Sequence, residues 1–116
     1  MGGMNIKRLA EDLGATPLYV PAGWEHLEVD SVFASDLISD ILVSEGEDQL
    51  LLTSLTSAQV VRTAALVGIV AVFLVYRRHA PPELVAAARD QEIPLFCSAI
   101  TKFEACVRAG RLKDLP

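Results

Sequence analysis

The order of apolar and polar positions along the chain divides it into short segments of alternating type. From Asn5 to Leu13, Ile6, Leu9 and Leu13 recur at i, i+3 and i+7 with Gly14 behind them, which predicts a helix with a glycine stop. Leu18–Val20 predicts a short strand and Pro21-Ala22-Gly23 a turn. Leu27–Ala34 predicts one strand with Leu27, Val29, Ser31 and Phe33 sharing a side. Ser35 or Asp36 then caps a helix whose Leu37, Ile38, Ile41 and Leu42 form one apolar face. After a turn at Gly46–Gln49 comes a strand, Leu50–Thr53. Ser57 caps a helix through Leu66, with Val60, Val61, Ala64 and Ala65 turned inward.

The second half repeats this rhythm more strongly. Val70–Tyr76 is apolar at every position, rich in β-branched and aromatic residues, and bounded by Gly68 and a proline pair. That pattern predicts a strand buried on both faces. Pro81 or Pro82 opens a helix to about Asp90, since the first helical amides need no partner. Ile93–Cys97 predicts another strand. Ser98 caps a last helix with Ile100, Phe103 and Val107 inward and Glu104 paired to Arg108 one turn on. From Leu50 onward the order strand–helix, three times over, predicts an α/β three-layer sandwich with a mostly parallel sheet and right-handed crossovers. Leu50–Thr53, Val70–Tyr76 and Ile93–Cys97 should be parallel neighbours.

At 116 residues, 52% apolar and 22% charged, the chain reads as one globular domain. Its expected bounds are residues 5–112, after a disordered or added start at 1–4 and before a tail at 113–116. A net charge of −5 gives no general attraction for nucleic acid or anionic membranes, so neither is an expected partner. The apolar run Ala64–Tyr76 is 13 residues, short of the roughly 20 that span a bilayer. The N-terminus lacks a signal-peptide core. Cys97 and Cys106 have no Cys or His at zinc spacing, so no metal or cofactor is expected. A disulfide is open in principle, but two buried thiols in a cytoplasmic protein is the simpler reading.

Two clusters carry candidate chemistry. Tyr76-Arg77-Arg78-His79 follows the buried strand, at the carboxyl end where α/β sheets bind ligands, and just ahead of a helix. Arginine forks suit phosphate or carboxylate. The same cluster would also serve merely to keep a sheet end solvated. The second cluster follows the preceding strand: Thr53, Ser54, Thr56, Ser57 and Gln59, able to hold a phosphate or ribose or simply to cap a helix. If their strands pair, the clusters lie side by side. Asp36 and Asp40, four apart, have the spacing for a shared cation, and solvent-facing carboxylates explain them equally well. Trp24 covers the core edge or marks an interface, and His26 sits in an exposed turn. No nucleophile–base pair, phosphate-binding loop, G-x-G-x-x-G or H-E-x-x-H is present, so an enzyme is not expected.

The run AALVGIVAVFLV, a polar loop and PPELVAAARDQEIPLFCSAITKFEACVRAGRL resemble the DRTGG domain family, with "IP" at Ile93-Pro94 and the Thr-x-Phe-Glu helix at Thr101–Glu104. NIKRLAEDLGATPL and VDSVFASDLISDIL look like the N-terminal domain of HPr kinase/phosphatase, to which DRTGG domains are related. The likeness covers about Asn5 to Leu112 through short, mostly apolar motifs. One departure stands out: where the family carries Thr-Gly-Gly after the buried strand, this chain has Tyr76-Arg77-Arg78. A ligand mode using those glycines would here give way to side-chain contacts. Nothing in these residues matches the phosphate-binding-loop half of HPr kinase, so no kinase activity is implied. The resemblance implies a non-catalytic regulatory module of bacterial type that self-associates as a homodimer. Its ligand would be a nucleotide or phosphorylated metabolite at Thr53–Gln59 and Tyr76–His79. The alternative is a structural module that docks a larger partner enzyme. Trp24 and Leu37–Leu42 are the expected dimer contacts.

Overall fold

The computed structural model describes residues 3–112; Met1, Gly2 and the expected tail at 113–116 lie outside the described residues. Seven strands and five α-helices follow one another as β1 (Met4–Asn5), α1 (Ile6–Asp12), β2 (Thr16–Tyr19), β3 (Glu28–Val29), β4 (Ser31–Ala34), α2 (Ile38–Leu42), β5 (Gln49–Thr53), α3 (Ala58–Val67), β6 (Ala71–Leu74), α4 (Pro82–Gln91), β7 (Leu95–Cys97) and α5 (Lys102–Leu112). A single 3₁₀ turn, Trp24–His26, precedes β3. The main sheet has the order β2-β7-β6-β5-β4. β4, β5, β6 and β7 are parallel, and β2 runs antiparallel along β7. The α/β sandwich with a mostly parallel sheet is therefore present, with the three expected strands as neighbours in its centre.

Alternation along these strands builds two cores. Leu50, Leu52, Ala71, Phe73, Val75 and Phe96 point to the face covered by α1 and α5, through Ile6, Leu9, Leu13, Ala105 and Ala109. Leu51, Val72, Leu74, Leu95 and Cys97 point to the face covered by α2, α3 and α4, through Ile41, Val60, Val61, Ala64, Leu84 and Ala88. A strand with helices on both faces has no solvent side, which is why β5 and β6 lack the apolar–polar alternation of a half-exposed strand. Gly68 ends α3 at φ 81°, its amide bonding back to Ala64 and Ala65, and turns the chain directly into β6.

Several expected details are corrected. The strand read as Leu27–Ala34 is two: β3 pairs antiparallel with β1 in a separate two-stranded sheet, and β4 joins β5. Asp30 separates them and shifts the alternation by one residue. Leu27, Val29 and then Val32 face the α1/α5 core, while Phe33 turns to the other side. Met4, expected in a disordered start, is already paired with Val29 and buried. α2 begins only at Ile38, so Leu37 and Leu42 do not join its inner face and are 59% and 47% exposed. In α5, Ala105 and Ala109 face inward and Phe103 points out, 79% exposed. Small residues let this helix approach the sheet closely where a phenylalanine would not fit. Cys97 is buried as expected, but Cys106 is exposed.

The two-sided burial gives a direct expectation. Phe73→Ala empties a fully buried site packed on Phe96 at 4.5 Å between ring centres, and should cost about 3–5 kcal/mol in urea unfolding. Leu66→Ala, at a position 77% exposed, should stay within about 0.5 kcal/mol of the parent.

Candidate functional site

The carboxyl ends of β4, β5, β6 and β7 all open on one edge of the sheet, because the four strands are parallel. The chain leaves β4 through Ser35 and Asp36, β5 through Ser54, β6 through Val75–His79 and β7 through Ser98–Thr101. Backbone bonds tie the last two exits together. Ser98 N donates to Leu74 O at 2.8 Å, Tyr76 N to Ile100 O at 2.8 Å, and Arg77 N to Ser98 O at 3.0 Å. Ser98, expected to cap the last helix, instead donates its hydroxyl to Leu13 O at 2.7 Å and so fastens the end of α1 to the edge of the sheet. Thr101 performs the capping, accepting Glu104 N at 3.1 Å.

At the centre of this edge stands Asp36. Its carboxylate accepts Thr53 Oγ1 at 2.9 Å, Ser54 N at 2.7 Å and Ser54 Oγ at 2.6 Å, and forms an ion pair with Lys102 Nζ. One side chain thus joins the exits of β4 and β5 to the first turn of α5. Burial alone would raise the pKa of this carboxyl. The bonds from Lys102, Ser54 and Thr53 together outweigh it and hold the group well below the usual carboxylate range. Asp36 therefore neither caps α2 nor shares a helical face with Asp40, which is exposed two residues into the helix. Among the described residues, no group of three His, Cys, Asp or Glu side chains is placed to hold a metal ion.

The expected ligand residues separate into three sets. Thr53 and Ser54 lie at the edge, but their hydroxyls are committed to Asp36. Ser54 does line a depression of about 350 Å³ together with Val75, Tyr76, Arg77, Thr101 and Lys102, so the two clusters do meet there. Tyr76, Arg77, Arg78 and His79 line an adjoining depression of about 510 Å³ with Ala99. Thr56, Ser57 and Gln59 line neither. Ser57 occupies the cap position of α3 without a side-chain bond, and Gln59 Nε2 lies 3.5 Å from Thr63 Oγ1. Lys102 and Thr101 are the additions that sequence reading missed. They sit inside the Thr-Lys-Phe-Glu motif, and their place beside Arg77 depends on a parallel pairing of β6 with β7 that juxtaposes residues some 25 positions apart.

Arg77 bonds the Tyr76 carbonyl with Nη1 at 3.1 Å, and neither Arg77 nor Arg78 enters an ion pair among the described residues. Lys102 is neutralised by Asp36, so the uncompensated positive charge of the edge comes from the two arginines. Guanidinium groups in a partly walled depression have the chemistry to pair with an anionic group.

The fold has a solved counterpart. A structure described as the CBS and DRTGG domains of the regulatory region of Clostridium perfringens pyrophosphatase, complexed with the activator diadenosine tetraphosphate, superposes with a TM-score of 0.76 at 11% identity. The match covers 97% of this chain and 47% of that one, so this chain spans about half its length. No protein-family model and no curated protein matches the chain. Among the described residues, no helix is long and apolar enough to cross a membrane.

The Asp36 network sets an acid limit on stability. A carboxyl whose pKa is depressed by folding contributes fully above its unfolded pKa of about 3.9, and that contribution is lost as pH falls through the lower folded value. Asp36→Ala leaves the buried Thr53 hydroxyl proton without its acceptor and should cost about 1–3 kcal/mol at pH 7. The loss should shrink steadily below pH 4. Equal destabilisation by Asp36→Ala at pH 7 and pH 2.5 in urea unfolding would contradict the assignment.

Proposed function

We propose that this chain is a non-catalytic regulatory module that senses a nucleotide or phosphorylated metabolite at the carboxyl edge of its sheet. The observation that carries the reading is Arg77, an arginine outside any described ion pair that lines both depressions at the meeting point of the β5, β6 and β7 exits. The phosphate would lie against Arg77, with Arg78, His79 and Lys102 around it and Ser54 and Thr101 on the wall. Similarity of fold to a regulatory region whose structure holds a nucleotide activator supports the same reading.

The test is a thermal-shift screen with nucleotides and phosphorylated sugars, because a ligand that binds only the native state raises the melting temperature. Arg77→Ala combined with Arg78→Ala should abolish any shift found and change unliganded stability by only about 0.5 kcal/mol. Calorimetry at matched ionic strength decides the matter: equal affinity in parent and double variant would leave the arginines as a solubility device.

Self-association belongs to the same reading. Leu37, Leu42 and Val43 are exposed at the two ends of α2, an apolar surface that a symmetric dimer would cover. Trp24 is not needed for it, since its ring packs edge-on against Phe96 at 5.4 Å and closes the core. Sedimentation at tens of micromolar should show a dimer that Leu42→Lys weakens; a monomer at that concentration would remove this part of the proposal. The same surface is the one a docking partner enzyme would use under the structural alternative, in which case no phosphorylated compound shifts the melting temperature.

A further inference from the structure

Tyr76 stands between the two depressions and lines both. Its backbone adopts φ 57°, a left-handed conformation that a residue with a Cβ seldom takes. The strain is held in place by the bonds on either side of it, Tyr76 N to Ile100 O and Arg77 N to Ser98 O. Those bonds use only main-chain groups and would form equally with glycine at this position. The aromatic side chain is 65% exposed, and among the described residues no other ring packs against it. A large ring is thus carried at a strained position where it contributes little to the core. Such outliers cluster at ligand and active sites, and this one, unlike Asp48 and Glu92 at their turns, lines both depressions.

We propose that the Tyr76 ring is a stacking platform for a planar heterocycle, so that the ligand of this edge is a nucleotide rather than a sugar phosphate or inorganic anion. The proposal rests on the anion-sensing reading above and adds the base to it. With the heterocycle on the ring, its phosphate reaches Arg77, the next residue, whose guanidinium borders the same two depressions. Two polar groups of the wall are already engaged: Ser54 Oγ donates to Asp36 and Thr101 Oγ1 accepts Glu104 N. Every base has a face to stack, so the platform selects nucleotides as a class and discriminates weakly among them.

Isothermal calorimetry with AMP, GMP, CMP, UMP and ribose 5-phosphate tests this, since the sugar phosphate differs from the nucleotides only by lacking the base. The parent should bind the nucleotides about tenfold or more tighter than ribose 5-phosphate. Tyr76→Phe should retain that preference. Tyr76→Gly should lower nucleotide affinity to that of ribose 5-phosphate while raising the melting temperature, because glycine accepts the left-handed backbone without strain. Nucleotide affinity unchanged in Tyr76→Gly, or ribose 5-phosphate bound as tightly as the nucleotides by the parent, overturns the inference and leaves the anion reading standing. A parent that binds none of the five compounds defeats both.

Discussion

The central strands β5 and β6 must be covered on both faces, and that requirement organises everything else in the molecule. Leu50–Thr53 and Ala71–Val75 are fully buried, so their polar main-chain groups must be satisfied within the sheet. Helices have to pack on each side, and parallel strands need them as crossovers in any case. Once both faces are closed, polar chemistry has only the strand ends left. The parallel order then gathers the exits of four strands on one edge, and the site is where it is because the core leaves it nowhere else.

At that edge the chain supplies its own anion. The Asp36 carboxylate takes the amide and hydroxyls of Thr53 and Ser54 and the Lys102 ammonium, occupying the position at a β-to-α turn where an external anion would otherwise be drawn. This organises the edge in the absence of ligand and withdraws those donors from binding. It also fixes Lys102, and with it the start of α5, against the end of β4. The cations left for a ligand are therefore the arginines after β6, outside the closed network.

The architecture was legible because it is written in uninterrupted apolar runs. AVFLV and LLL read as doubly buried strands whatever their neighbours do, and Gly68 and Pro82 punctuate them. The details that sequence reading missed turn on single residues or on distance along the chain. Asp30 shifts the alternation between β3 and β4, and no local propensity marks a one-residue break. Phe103 reads inward because Ile100, Phe103 and Val107 recur at helical spacing, yet two alanines, Ala105 and Ala109, set the spacing against the sheet. Asp36 looked like a cap or a surface carboxylate because its partners lie 17, 18 and 66 positions away. Arg77 and Ser54 follow consecutive strands in the sequence and line one depression, since parallel pairing brings their exits together; Lys102, at the start of α5, reaches it only through the register of β7 against β6.

Charge alone does not explain selectivity at such an edge. The whole chain carries a net charge of −5, so an approaching anion meets an unfavourable field at long range, screened beyond about 8 Å at physiological salt. Arg77, half-buried, and Arg78, exposed, offset that field only locally, and ion pairs at a solvated surface are individually weak. Affinity at the proposed site would have to come from contacts made inside the depressions, where part of a ligand would leave water. An apolar surface beside the cation provides such a contact, because stacking gains from burial and does not fade with salt as a charge contact does. The exposed ring next to Arg77 is the one large apolar surface that lines both depressions. On the proposed reading, an aromatic side chain rather than more positive charge would answer the problem that an acidic protein poses to a bound anion.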